Sequence, residues 1–116
     1  MKNELEERTF RFALCVIGFA EALPRSHSGL VIGRQLLKSG TAIGAIYREA
    51  QRAESKADFI HKVAMAEKEA AETEYWLLLC AEAKLCADKA IVLLEEARQL
   101  LAILVTIGRK SKQPRP

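Results

Sequence analysis

Glu67 and Glu74 stand one heptad apart in a stretch whose apolar residues recur at helical spacing. On an apolar helix face two carboxylates must be paired, hydrogen-bonded or protonated. They therefore offer acid–base or metal chemistry, or a structural ion pair. A di-metal centre in a helical bundle draws on Glu-x-x-His from two helices, all facing inward. The one approximation here is Asp58-x-x-His61, on the opposite side of the same helix from Glu67 and Glu74, and His27 falls in a loop. No metal site is expected, and the two glutamates are expected to pair with an arginine of the second helix. Nucleophilic catalysis fares no better. None of Cys15, Cys80 and Cys86 has a histidine at a helical contact spacing, and no glycine-rich strand-to-helix turn cradles a phosphate. No catalytic residue, cofactor or small-molecule substrate is expected. The cysteines, odd in number and without a Cys-x-x-Cys pair, read as free buried thiols of a reducing, cytoplasmic compartment.

Cations offer more. Arg34, Lys38, Arg48 and Arg52 fall within about 40° of one line on a helix, with Thr41 and Ala45 between them. The line is roughly 27 Å long, enough to track several phosphates. It is either a nucleic-acid surface, or an ordinary solvated face or one neutralised by carboxylates of the third helix. No aromatic side chain interleaves with it, so base stacking there has no support. Arg109, Lys110, Lys112 and Arg115 add a basic tail. The net charge of +3 divides unevenly: +2 over residues 1–54, −3 over 55–108 and +4 over 109–116. The body is slightly acidic, and the whole-chain charge overstates the case for nucleic acid.

The elements that position these groups follow from punctuation and phase. With 116 residues, half of them hydrophobic and 28% charged, the chain has the length and apolar content of one domain, which excludes low-complexity disorder. Abundant Ala, Leu, Glu, Lys and Arg favour helices. A first helix runs from about Asn3 to Leu23, where Pro24 stops it. A second runs from about Gly29 to Ala53 after a serine cap at Ser26 or Ser28. Ser55 with Asp58 forms a capping-box variant opening a third. No Gly or Pro interrupts Lys56–Ile107, but the apolar phase does. Phe59, Ile60, Val63, Ala70, Ala71, Leu77, Leu78 and Ala81 share one face. Cys86, Ala90, Leu93, Leu94, Ala97, Leu100, Leu101 and Leu104 share another, about 150° away. A break between about Ala81 and Asp88 reconciles them. The expected fold is all-α, an antiparallel up-and-down four-helix bundle over residues 1–108, with a disordered basic tail at 109–116. The longest apolar run, Phe12–Ala20, is too short to span a bilayer, and the acidic start does not suit a signal peptide.

Two further patterns point to close packing. Gly33, Gly40 and Gly44 lie about 90° from the core side of the second helix (Ile32, Leu36, Ser39, Ile43, Ile46, Ala50) and let a backbone approach, either another helix of the chain or a neighbouring subunit. Met65, Trp76 and Leu79 lie away from the core stripe of the third helix, as a second core contact or as a subunit interface. Together these favour a homo-oligomer.

The run Gln35-Leu-Leu-Lys-Ser-Gly-Thr-Ala-Ile-Gly-Ala-Ile-Tyr-Arg-Glu-Ala50, followed by Asp58-Phe59, Ala66-Glu67-Lys68-Glu69-Ala70 and Glu72-Thr73-Glu74-Tyr75-Trp76-Leu77, resembles the 23S rRNA intervening-sequence proteins over about residues 5–105. Ile46 departs from the asparagine expected after Gly-Ala. The resemblance implies a four-helix bundle assembled as a ring, typically a homopentamer, with no known catalytic residues. It extends to the accessory protein of diversity-generating retroelements, a pentameric basic barrel that binds nucleic acid. The expected function is thus non-enzymatic: a ring binding structured RNA or other nucleic acid through the second-helix cations, or, alternatively, a protein-interaction scaffold without nucleic acid.

Overall fold

A computed structural model describes residues 3–114. Four helices follow one another: α1 (Glu4–Ala22), α2 (His27–Gln51), α3 (Lys56–Glu82) and α4 (Ala87–Lys112). Three begin at side-chain caps. Asn3 accepts from the amides of Leu5 and Glu6, Ser26 from Gly29, and Ser55 from Asp58. Glu4, Glu6 and Glu7 sit in the first turn of α1, where the helix dipole favours negative charge. Leu23 is extended, as a residue before proline should be, and ends α1.

The α3–α4 break falls inside the expected window. Lys84 and Cys86 make it by adopting the left-handed region, with φ of 60° and 50°. Turns of this kind normally use glycine, which is why residue types alone did not mark it.

The chain measures 53 × 22 × 21 Å. α3 packs against both α2 and α4, α2 against α1, and α1 closes only lightly on α4. The core is Phe12, Val16 and Phe19 from α1, Leu36 and Ile43 from α2, Val63 and Leu77 from α3, and Leu94, Leu100 and Leu104 from α4. The expected faces of α2 and α4 are largely those buried. That of α3 is not: Ala71 and Leu78 are exposed, and the buried line is Val63, Ala66, Ala70, Thr73, Leu77 and Cys80. Thr73 belongs there because its hydroxyl donates to the Glu69 carbonyl (2.8 Å) while its oxygen stands 2.9 Å from Ser39 Oγ. A satisfied polar group can occupy a core position, and hydrophobicity alone assigns it to the surface.

The disordered tail is also corrected. α4 continues through Arg109, Lys110 and Lys112. Gly108 is buried against Glu67, the Ser111 hydroxyl donates to the Ile107 carbonyl at 2.7 Å, and Lys56 Nζ reaches the Gln113 carbonyl at 3.4 Å. Three cations in the last turn also complement the negative end of the helix dipole. Arg115 lies outside the described residues.

Candidate nucleic-acid interface

The stripe on α2 is displayed as the spacing required. Arg34, Lys38, Arg48 and Arg52 are all exposed. Arg48 is partly engaged, its Nε 3.9 Å from Glu6 and its guanidinium 5.6 Å above the Phe10 ring. Arg34, Lys38 and Arg52 make no ion pair among the described residues.

The expected neutralisation by α3 does not occur. The α2–α3 ion pair runs the other way, Lys62 of α3 to Glu49 of α2 at 2.9 Å, which holds the Lys62 ammonium above its ordinary pKa. Glu67 and Glu74 do not reach α2. They face α4, where Glu74 accepts from Arg98 at 2.9 Å and Glu67 rests against Gly108. Residues 62 and 73 meet α2, and positions 67 and 74 are turned some 100° or more from them. Among the described residues no group of three or more His, Cys, Asp or Glu side chains is arranged to hold a metal.

Arg109, Lys110 and Lys112 join this surface from another helix. The C-termini of α2 and α4 and the N-terminus of α3 share one end of the antiparallel bundle, as the Lys56–Gln113 contact shows. Arg52, Lys56 and the three α4 cations therefore crown a single pole.

The glycine stripe faces α1 of the same chain: Gly33 lies near Leu23, Gly40 near Val16 and Gly44 near Thr9. Met65 is exposed, whereas Trp76 and Leu79 are half-buried, and Trp76 stacks edge-on against Tyr75 at 5.2 Å. The Trp76 Nε1 and one oxygen of Glu69 are buried without a hydrogen-bond partner among the described residues.

Of the thiols, Cys80 is buried, Cys86 half-buried and Cys15 exposed. The burial expected for Cys15 fails because it sits on the flank of α1 toward α4, where the two helices barely close. A groove of about 550 Å³ opens there, bounded by Cys15, Gly18, Phe19, Val92 and Leu93. Burial pushes the Cys80 thiol up to about 11. An exposed apolar ridge on α1, Phe10, Leu14 and Ile17, escaped the sequence reading altogether. Its signal was present in Phe12–Ala20, nine residues without a polar side chain and apolar all round the helix.

A profile of the 23S rRNA-intervening sequence protein matches residues 1–106. The chain belongs to this family. A solved structure of an S23 ribosomal protein family member of unknown function from Bacteroides thetaiotaomicron is 34% identical, covering 90% of this chain and 98% of that one, with a TM-score of 0.81. The intervening-sequence fold is thus common to both. No curated protein matches the chain. Neither the family nor the structural neighbour points to an enzyme. No helix among the described residues is long and apolar enough to cross a membrane.

Proposed function

We propose that this intervening-sequence protein is a non-enzymatic homo-oligomer, a ring of five by resemblance, that binds structured RNA through its phosphates. The observation supporting this is that Arg34, Lys38 and Arg52 stand exposed and unpaired along one face of α2. The line ends at a pole where Lys56, Arg109, Lys110 and Lys112 add charge. An unpaired cation can exchange its counterion for a phosphate without first breaking a salt bridge. Repetition around an oligomer turns a weak contact into avidity. Recognition is of backbone and shape rather than base identity, since among the described residues the one ring beside the stripe, Phe10, is covered by Arg48, and none packs on Arg34, Lys38 or Arg52.

Filter binding with a folded RNA tests the proposal. Three phosphate contacts per chain predict that affinity falls about 20- to 40-fold between 50 and 200 mM salt. Arg34→Glu/Lys38→Glu/Arg52→Glu should abolish binding at low salt, and Arg109→Gln/Lys110→Gln/Lys112→Gln should weaken it and flatten the salt slope. Unchanged affinity in the first variant removes the stripe from the claim. No binding by the wild type at low salt leaves the protein-interaction scaffold.

A further inference from the structure

Phe10, Leu14 and Ile17 are 52%, 54% and 42% exposed on the outer side of α1, and their spacing of four and three places them in one ridge. Leu30, 44% exposed, adds an apolar side chain from α2 on the same line as Arg34 and Arg48. Ridge and cations share one face of the bundle. Thr41 and Ala45, which stand between the cations, line a groove of about 330 Å³ whose other wall is Phe10, Leu14 and Ile17, and Arg48 lies over the Phe10 ring. The two helices run antiparallel, with Gly44 beside Thr9, Gly40 beside Val16 and Gly33 beside Leu23. Arg48 is therefore level with Phe10, Lys38 with Ile17 and Arg34 with the end of α1, so cations flank the ridge along its length.

Acidic groups on this face are mostly engaged. Glu7 is held by Arg11 at 2.7 Å, and Glu6 lies 3.9 Å from Arg48. Glu21, at one end of the ridge, makes no ion pair among the described residues, but it shares a small groove with Arg25 and Arg34. Against the unpaired Arg34, Lys38 and Arg52 it leaves the face positive. A partner that covers such a face must offer anions and an apolar medium side by side. A nucleic-acid backbone supplies the anions alone. An anionic bilayer supplies both, with phosphates at its surface and hydrocarbon about 5–10 Å beneath, the layering in which an amphipathic helix seats. Long cationic side chains reach headgroups while their apolar neighbours go deeper.

We propose that the α1–α2 face seats on an anionic lipid surface, with Phe10, Leu14, Ile17 and Leu30 in the interfacial region and Arg34, Lys38, Arg48 and Arg52 on lipid phosphates. The contact is peripheral. Both helices lie flat on the surface, and no helix among the described residues is long and apolar enough to cross. The proposal goes beyond the RNA reading: it shares three cations with that reading but adds the ridge, so lipid and RNA compete for one face.

Vesicle flotation at low salt tests this, with vesicles of phosphatidylcholine alone and of phosphatidylcholine with about one-third phosphatidylglycerol. The wild type should float with the anionic vesicles and not with the neutral ones. Leu14→Ser/Ile17→Ser keeps every charge; it should lower vesicle affinity by about tenfold or more and leave RNA binding unchanged. Both residues are at the surface, so its far-UV circular dichroism should match the wild type. Arg34→Gln/Lys38→Gln should lower vesicle affinity about fivefold per cation removed. Leu14→Trp reads depth without any loss of binding. Its emission should shift to the blue on anionic vesicles and be quenched by acyl-brominated lipid, whereas Trp76 of the wild type, on the helix that α1 does not touch, should be neither shifted nor quenched. A wild type that binds RNA but does not float overturns this proposal and spares the RNA reading. Full vesicle affinity in Leu14→Ser/Ile17→Ser, or an unquenched Leu14→Trp, reduces the contact to adsorption by charge and overturns the seating of the ridge. If the serine variant loses self-association in sedimentation while still floating like the wild type, a second copy covers the ridge and the proposal is wrong.

Discussion

Gly33, Gly40 and Gly44 look equivalent along α2, and replacing each with alanine should give opposite results. In isolation, alanine gains about 1 kcal/mol over glycine inside a helix. What decides the sign is the space a new methyl would enter. At Gly33 a Cβ would meet Leu23 Cδ1 at 3.6 Å, an ordinary contact, so Gly33→Ala should stabilise by about 1 kcal/mol. At Gly40 it would meet both methyls of Val16 at 2.8 and 2.9 Å. Val16 is fully buried, and a β-branched side chain on a helix has one strongly preferred rotamer, so neither methyl can swing away. α1 and α2 must separate instead, at the upper end of the roughly 1–3 kcal/mol overpacking cost. Set against the propensity gain, Gly40→Ala should lose about 2 kcal/mol. Gly44→Ala should lose at least as much. The Cβ would sit 2.9 Å from Thr9 Oγ1 and 3.3 Å from the Thr9 backbone, and that hydroxyl is held by the carbonyls of Leu5 and Glu6.

Thermal unfolding at one fixed protein concentration reads this as a midpoint about 4 °C higher for Gly33→Ala and about 8 °C lower for Gly40→Ala. Val16→Ala supplies the control. The space it opens is where the alanine methyl goes, so Gly40→Ala should cost at least about 1 kcal/mol less in a Val16→Ala background. If Gly40→Ala stabilises as Gly33→Ala does, or if the two substitutions are simply additive, the close α1–α2 approach is refuted.

Arg8 spans the lightly packed α1–α4 seam with two hydrogen bonds of 2.7 Å to the Glu96 carboxylate and a third to Gln99. Both partners of the ion pair are about one-third exposed, so Arg8→Ala should cost no more than about 1 kcal/mol and less at high salt; hydrogen exchange should nevertheless quicken along α1, because little else ties it to α4. The Cys80 thiol, ordinarily near 9.0, is held at about 11 by burial. The folded state therefore keeps a proton that the unfolded chain releases, and stability should fall as pH rises from 9 to 11. Denaturant unfolding of Cys80→Ala should show a shallower fall over that range, and iodoacetamide at pH 8 should modify Cys15 in the native protein but Cys80 only after unfolding.

The helix boundaries were legible where residue type and geometry coincide, as at Asn3, Pro24, Ser26 and Ser55. The α3–α4 turn had no such mark, since lysine and cysteine adopt the left-handed conformation there; only the jump in apolar phase located it. Phase failed within α3 itself, because a threonine satisfied by Glu69 and Ser39 sits in the buried line while Leu78 faces outward. The basic end of α4 read as tail for a related reason. Composition registers the cations but not the Gly108 packing and helix-dipole complementarity that extend the helix beneath them.

Charge was the least legible property, and the register of the helices explains why. Counting charges leaves neutralisation of the α2 cations by the acidic second half as one alternative, because it cannot tell which side of α3 the carboxylates occupy. Glu74 is committed to Arg98 and Glu67 to the Gly108 side of α3, both toward α4, while Lys62 of α3 takes the Glu49 carboxylate of α2. α3 thus withdraws an anion from α2 rather than lending one. The stripe is left more cationic than the sequence sum implies, and the anions it would attract must come from outside the bundle. The cations of α2 and the apolar ridge of α1 lie side by side: Thr41 and Ala45, between the cations, line the groove beside Phe10, Leu14 and Ile17. A phosphate backbone can satisfy the first but not the second, and an apolar helix the second but not the first.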